Sequence, residues 1–226
     1  MRKNISYRDR VAGALYGLFI ADALAMPVHW YYNRQALEAD YGRVTDYLPP
    51  RNPHPDSILW RSSYRAPNSK GEILHDQAQY WGQKGIHYHQ FLKAGENTLN
   101  VKICRLLVES MNQTGAYDAD DFLRKYIEFM TTPGNHQDTY IEECHRNFFA
   151  NYAKGRPTHK CGVQEKHIGG LVVDVLDDVG LAALLVERVG AEGVAKLTDA
   201  ARDYLNRIPT IVLDYPKVIS SLCPAV

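Results

Sequence analysis

The feature that most constrains this chain is an apolar run over residues 11–31 that contains a single carboxylate, Asp22. Gly13, Gly17 and Ala21 recur every four residues, which places them on one helical face where another backbone could approach closely. A buried carboxylate is normally paired, hydrogen-bonded or bound to a cation. Asp22 therefore belongs either to a functional site or to a structural contact, such as the cap of a neighbouring helix. Its charge also favours a buried helix over a membrane span.

The composition excludes several classes of protein. Apolar residues make up 45% of the 226 residues and the formal net charge is zero, so a full core is available and no basic surface dominates. We therefore expect no nucleic-acid partner and no membrane partner. The four cysteines lie too far apart in sequence for a zinc site. With no signal peptide in view, reduced thiols and a cytoplasmic location are expected.

Helical periodicity runs through most of the sequence and predicts one all-α domain over residues 1–226. The first helix ends or kinks at Pro27, and a short helix covers 33–41. Further helices are predicted to follow Thr98, to start at Asp118 and at Asp138, and to cover 170–188, 191–206 and 210–222. The segment 47–90 is rich in Pro, His, Tyr and Trp and lacks a period, which is typical of an ordered functional loop.

The sequence Gly95-Glu96-Asn97-Thr98 stands directly before a periodic helix. Oxygen-bearing side chains clustered at a helix N-terminus are able to bind a hard cation such as Mg²⁺. The alternative is a plain helix cap formed by Asn97 or Thr98. The residue pattern alone leaves both interpretations open.

Other candidates lie further along the chain. His87 and His89 flank Tyr88, and on an extended segment both would face the same way, able to bind a metal or a phosphate. Histidines without a ligand are the alternative. His136 is a candidate polar contact beside a predicted helix cap. Gly169 and Gly170 allow a ligand to approach the backbone closely.

The first helix and the Gly95–Thr98 segment together resemble the ADP-ribosylglycohydrolase family. Its members begin with G-x-L-x-G-x-x-x-G-D-A-L-G-x-P-x-E, and this chain reads GALYGLFIADALAMPVH from Gly13 to His29. The family then carries T-D-D-T at the head of a helix, where this chain has GENT. The resemblance covers residues 8–175. It implies an orthogonal all-α bundle whose cleft holds a pair of Mg²⁺ ions and an ADP-ribose group.

The resemblance also implies roles for individual residues. Asp22 takes the position of the aspartate in the family's first helix. Glu96 and Asn97 stand where the two metal-binding aspartates stand, and Thr98 where the final threonine stands. His29 replaces a glutamate and is able to act as a base. The expected catalytic residues are thus Asp22, His29 and Glu96, and the expected metal ligands are Glu96, Asn97 and Thr98.

Two departures from the family pattern bear on the metal. Gly95 replaces the first threonine, which removes one ligand. No D-x-D-T motif is present, so the chain is expected to be short at its C-terminus and to bind one Mg²⁺ or none. The residues expected to contact the substrate are Trp30, Tyr31, Trp60, Arg61, His87, His89, His136, Gly169 and Gly170.

The function implied by the resemblance is hydrolysis of an ADP-ribosyl or related glycosidic bond with bound Mg²⁺. The substrate would be a small molecule or an ADP-ribosylated molecule. The alternative is a non-catalytic member of the family, either a crystallin-like structural protein or a nucleotide- or sugar-binding protein. Gly95, Asn97, His29 and the missing D-x-D-T motif favour that alternative.

Overall fold

The computed structural model describes residues 7–163 of the chain, with side chains from residue 16 onward. Within this part all regular structure is helical, which confirms the predicted all-α class. The helices are α1 (Tyr7–Ala25), α2 (Arg34–Tyr41), α3 (Leu99–Thr114), α4 (Ala119–Thr131) and α5 (Glu143–Ala153). Short 3₁₀ turns cover Met26–Val28, Leu59–Arg61, Ser69–Gly71, His75–Tyr80 and Thr158–Lys160. None of the described helices has the length and apolarity that a membrane span requires.

Several predictions concern residues beyond those described. The three predicted helices after residue 169, and the candidates Gly169 and Gly170, lie outside the described residues. The single domain over residues 1–226 likewise stays a prediction.

Local capping explains where two of the helices begin. The Asn33 side chain accepts hydrogen bonds from the backbone N–H groups of Gln35 (2.9 Å) and Ala36 (3.2 Å), so α2 starts at the next residue. Asp118 Oδ1 accepts from the N–H of Asp121 at 3.0 Å and caps α4 in the same way. Both starts agree with the predictions from sequence.

The end of α1 agrees with its proline. The helix stops at Ala25, and Pro27 lies in the 3₁₀ turn that follows, since proline fits the first positions of a helical turn but not a helix interior. The close approach of a second backbone, predicted from the small residues of α1, is not found at Gly17. Within the described part of the chain, nothing lies within 4 Å of the position a Cβ would occupy there.

The prediction that Asp138 opens a helix is wrong. Helix α5 begins only at Glu143. The N–H groups of Thr139 and Tyr140 both donate to the carbonyl oxygen of Tyr88, at 3.0 and 3.1 Å, and this pairing holds the chain out of a helical path. The Asp138 side chain is fully buried and is used elsewhere.

The core lies between α3, α4 and α5 and the segment that precedes α3. Phe122, Tyr126 and Met130 form an apolar stripe along α4, and all three are buried. The loop 47–90 is ordered and contributes to this core. The buried core residues are Ile73, Leu74, Leu99, Ile103, Phe122, Leu123, Tyr126, Met130, Ile141, Cys144, Phe148, Phe149 and Cys161.

Candidate functional site

Asp22 lies in the last turn of α1 and contacts the start of α3. Its Oδ2 accepts hydrogen bonds from the Thr98 backbone N–H (2.8 Å) and the Asn97 side-chain amide (2.9 Å). Its Oδ1 accepts from the Thr98 hydroxyl at 2.7 Å. Thr98 occupies the N-cap position of α3, but its own side chain makes no capping bond. Asp22 therefore supplies the cap, which agrees with the structural alternative left open by the sequence.

Glu96 is used differently from its neighbours. Its Oε2 accepts a hydrogen bond from the backbone N–H of Lys93 at 2.6 Å, so the side chain folds back on its own turn. Asp22, Asn97 and Thr98 are thus brought together, whereas the carboxylate of Glu96 is engaged by the preceding turn.

A second polar cluster contains His29, which the resemblance to the family aligns with a glutamate. His29 Nδ1 lies 3.0 Å from His89 Nε2, and His89 Nδ1 lies 2.6 Å from Asp138 Oδ1. With Asp138 ionised, the Nδ1–H of His89 donates to the carboxylate and Nε2 of His89 is an acceptor. A neutral His29 then donates from Nδ1, which leaves the lone pair on its Nε2. The three side chains form one hydrogen-bonded chain that ends in a buried carboxylate.

Two more histidines hold the backbone that carries His29. His87 accepts from the N–H of His89 (3.0 Å) through Nδ1 and therefore donates from Nε2–H to the Pro27 carbonyl (3.0 Å). His54 accepts from the N–H of Asp56 (3.1 Å) through Nδ1 and donates from Nε2–H to the His29 carbonyl (3.0 Å). These bonds fix both rings as neutral donors and fix the turn after α1.

The extended conformation expected for residues 87–89 is wrong, because the chain turns there and the N–H of Gln90 donates to the His87 carbonyl. Both ring nitrogens of His87 are engaged by backbone groups. The ring is therefore not presented to a metal or a phosphate in this geometry.

Burial controls the charge of His29. Burial, with the neighbouring His89, lowers the pKa of His29 to about 3, and the charge of Asp138 acts in the opposite direction. His29 is consequently a neutral imidazole at neutral pH. A neutral imidazole that donates from Nδ1 keeps a lone pair on Nε2, and this lone pair is able to accept a proton.

Asp138 also connects the two clusters. Among the residues that the structure describes, its buried Oδ2 has no hydrogen-bond partner, and Lys102 Nζ lies 3.9 Å away. Lys102 follows Thr98 by one turn of α3 and donates its backbone N–H to the Thr98 carbonyl. The first turns of α3 therefore border both Asp22 and Asp138. Sequence reasoning missed the role of Asp138, because an aspartate just before an apolar period has the same appearance as a cap.

An aromatic group lies beside His29. Trp30 is 37% exposed, and its ring contacts Tyr88 (centroids 5.2 Å apart) and Tyr140 (5.8 Å). Tyr140 stacks on Trp81, with 5.8 Å between centroids and 14° between planes. The backbone of Trp30 has φ +66°, a conformation that bulky residues rarely adopt. The surrounding rings hold that conformation and leave one exposed indole next to His29.

Tyr31 points to a different set of contacts. Its hydroxyl donates to Asp40 Oδ2 at 2.7 Å, and its ring stacks on His54 with centroids 4.1 Å apart. Burial, followed by the hydrogen bond to Asp40, raises the pKa of Tyr31 far above its usual value. Tyr31 thus supports His54 from the side of α2.

The remaining candidates lie in other surroundings. Trp60 is 40% exposed, with the Arg61 guanidinium 4.8 Å and Lys84 Nζ 5.3 Å from its ring centre. His136 is buried and its Nε2–H donates to the Ile73 carbonyl at 3.0 Å.

The described residues do not fit a Mg²⁺ site. Among them, no group of three or more His, Cys, Asp or Glu side chains is placed to hold a metal ion. Mg²⁺ is usually bound through carboxylate oxygens in octahedral geometry. Where α1 meets α3, both oxygens of Asp22 already accept hydrogen bonds, and Asn97 donates its amide N–H groups to Asp22 Oδ2 and to the Phe19 carbonyl. The Glu96 carboxylate accepts from the N–H of Lys93 in its own turn.

The fold and the site define an all-α protein whose polar groups converge where α1 meets α3. A family model, ADP-ribosylglycohydrolase, matches residues 3–203, which is most of the sequence. The chain therefore belongs to the ADP-ribosylglycohydrolase family. Members of this family are generally metal-dependent and act on small-molecule or ADP-ribosylated substrates. Comparisons with curated proteins and with solved structures found no match.

Proposed function

We propose that this protein hydrolyses an ADP-ribosyl or related glycosidic bond and that His29 is its general base. The observation that carries the proposal is the hydrogen-bonded chain from His29 through His89 to the buried carboxylate of Asp138. His29, at one end of this hydrogen-bonded series, takes the position where the family pattern has a glutamate. Membership of the family supports the class of substrate.

The proposed step uses the lone pair on Nε2 of His29. A water molecule gives a proton to Nε2 while its oxygen bonds to the anomeric carbon. The glycosidic bond breaks, and its electron pair goes to the leaving atom, which then takes the proton back from the imidazolium. Asp138 stabilises that imidazolium through His89 and keeps the His29 tautomer fixed, as a buried aspartate does in other histidine-dependent hydrolases.

Trp30 is the residue we propose for substrate contact beside His29. Its exposed indole offers a flat face to a nucleobase or a sugar ring. Because the neighbouring rings already fix its orientation, little conformational entropy is lost when a ligand stacks on it.

Mg²⁺ is predicted by the resemblance, and the family is generally metal-dependent. The described donors do not fit the ion, and no step of the proposed reaction is routed through it. Comparing the activity measured with Mg²⁺ and with EDTA shows whether the reaction requires the ion.

The test measures release of ADP-ribose from peptides that carry N- or O-linked ADP-ribose, using the full chain. We expect the wild type to release ADP-ribose and His29→Ala to be slower by roughly 10²-fold or more, the usual contribution of a general base. His159→Ala is the matched control, since His159 is exposed. No release by the wild type in either buffer, or full activity of His29→Ala, would contradict the proposal.

The second candidate is a non-catalytic binding protein. The specific observation in its favour is that Asn97 and Glu96 make internal hydrogen bonds at the positions of the family's metal-binding aspartates. Calorimetry separates the two functions. Binding of ADP-ribose without turnover of any linked substrate would support the binding protein, and turnover that depends on His29 would exclude it.

A further inference from the structure

The junction between α1 and α3 contains a fixed amide. Asn97 Nδ2 donates one N–H to Asp22 Oδ2 at 2.9 Å and the other to the Phe19 carbonyl at 2.7 Å. Turning the amide over would place its oxygen against two acceptors, so the hydrogen bonds determine its orientation. Both donors of Asn97 are thereby committed to α1.

The carboxylate of Asp22 is compensated by neutral donors. It accepts from the Asn97 amide, the Thr98 N–H and the Thr98 hydroxyl. It also lies at the N-terminus of α3, where the helix dipole carries partial positive charge and favours an anion. Three donors and a helix end compensate this partly buried carboxylate without a counter-ion.

We propose that Asp22 joins α1 to α3 without a bound cation, and that the Asn97 amide provides the compensation a cation would otherwise supply. A carboxylate at position 97 would replace both N–H donors with oxygens facing Asp22 and the Phe19 carbonyl. Two carboxylates in such contact require a proton or a cation between them. The identity of residue 97 therefore decides whether this junction depends on a cation.

The test compares urea unfolding of the full-length wild type, Asn97→Asp and Asn112→Asp, each in millimolar Mg²⁺ and in EDTA. Asn112 lies on the exposed side of α3, so Asn112→Asp makes the same chemical change away from the junction. We expect Mg²⁺ to shift the midpoints of the wild type and of Asn112→Asp equally. Asn97→Asp should have a lower midpoint in EDTA and should gain more from Mg²⁺ than either of them.

Mg²⁺ bound elsewhere on the protein shifts the urea midpoints of all three proteins equally. The result is therefore the difference in the Mg²⁺-dependent midpoint shift between the variants. An Asn97→Asp midpoint equal to that of Asn112→Asp in EDTA would overturn the proposal. A Mg²⁺ shift of the wild type that Asp22→Asn abolishes would also overturn it. If Asn97→Asp does not fold in EDTA, the urea midpoints of Asn97→Ala in Mg²⁺ and in EDTA are measured instead. It removes the donors without adding charge, and its lower midpoint should respond to Mg²⁺ as the wild type does. Unfolding is independent of turnover, so this result is separate from that of the activity assay.

Discussion

Mild acid is expected to destabilise this protein before its carboxylates are protonated. His87, His136 and His145 are buried, and burial lowers the pKa of His87 and His145 to about 3 and that of His136 to about 4. The surroundings fit neutral rings. His145 Nδ1 lies 2.7 Å from the Tyr126 hydroxyl, and its Nε2 lies 3.0 Å from Asn100 Oδ1, so the ring accepts from one partner and donates to the other.

The sign of the effect follows from the lowered pKa values. In the unfolded chain a histidine titrates near 6.5, so below about pH 6.5 the unfolded state binds protons that the folded state does not. The contribution of these neutral histidines to the free energy of unfolding is fully present above that pH and is lost as the pH falls below it. When the pH is lowered from about 7 to about 5, each of these three histidines lowers the free energy of unfolding by about 2 kcal/mol. Together they lower it by roughly 5–6 kcal/mol. A typical domain has only about 5–15 kcal/mol of total stability.

Urea unfolding, followed by tryptophan fluorescence at several pH values, measures this loss. These three histidines should contribute about 4 kcal/mol per pH unit near pH 5 to the free energy of unfolding, equivalent to three protons, and His29, whose pKa is also lowered to about 3, should add about one more. His136→Gln should remove about one proton from that slope, because glutamine is able to donate to the Ile73 carbonyl and does not titrate. The exposed His159→Gln is the control. Equal stability at pH 7 and pH 5, or an unchanged slope in His136→Gln, would refute the reasoning.

Other substitutions test the buried contacts by the same unfolding assay. Asp138→Ala should lower the free energy of unfolding by about 2–4 kcal/mol, because the buried N–H of His89 loses its acceptor, and a change below about 0.5 kcal/mol would contradict this. Gly71→Ala should cost about 1–3 kcal/mol, since its Cβ would lie 3.0 Å from another side chain, and a neutral result would show that the site relaxes. Tyr126→Phe should cost about 1–3 kcal/mol by leaving Nδ1 of His145 without its donor, and unchanged stability would argue against that bond.

The parts of the fold that the sequence predicts are those determined by neighbouring residues. Asn33 and Asp118 cap the helices that follow them, and Pro27 ends α1, because each acts within three or four residues of itself. The apolar stripe of α4 is likewise a local period. Such features require no knowledge of the rest of the fold.

The candidate site depends on contacts between distant parts of the chain. Asp138 pairs with His89 across 49 positions, and Asp22 pairs with Thr98 across 76. Nothing local distinguishes an aspartate that caps its own helix from one that binds a remote histidine. The sequence therefore named His29, His89 and Asp22 as polar residues of interest but could not assign their partners.

The histidines of the aperiodic loop illustrate the same limit. Their number predicts a polar site, but their roles depend on which backbone groups they meet. His54 and His87 bond the carbonyls of His29 and Pro27, and His89 alone of these three reaches the His29 ring. A histidine-rich segment thus contains residues that hold the turn and one that extends the hydrogen-bonded chain. Only the tertiary contacts separate these roles.

Two departures from the family pattern each come with a matching partner. His29 replaces a glutamate and meets His89 and Asp138, which complete its hydrogen bonding. Asn97 replaces an aspartate, and both of its N–H groups meet acceptors on α1. Unpaired buried groups would cost stability at both places, so hydrogen-bond partners are required whether or not the site is catalytic. The hydrogen bonds of His29 to His89 support the proposed general base, whereas those of Asn97 to α1 stabilise the fold under either proposed function. Under the proposed function, the change in chemistry lies at His29, where an imidazole linked through His89 to the buried carboxylate of Asp138 takes the place of a glutamate.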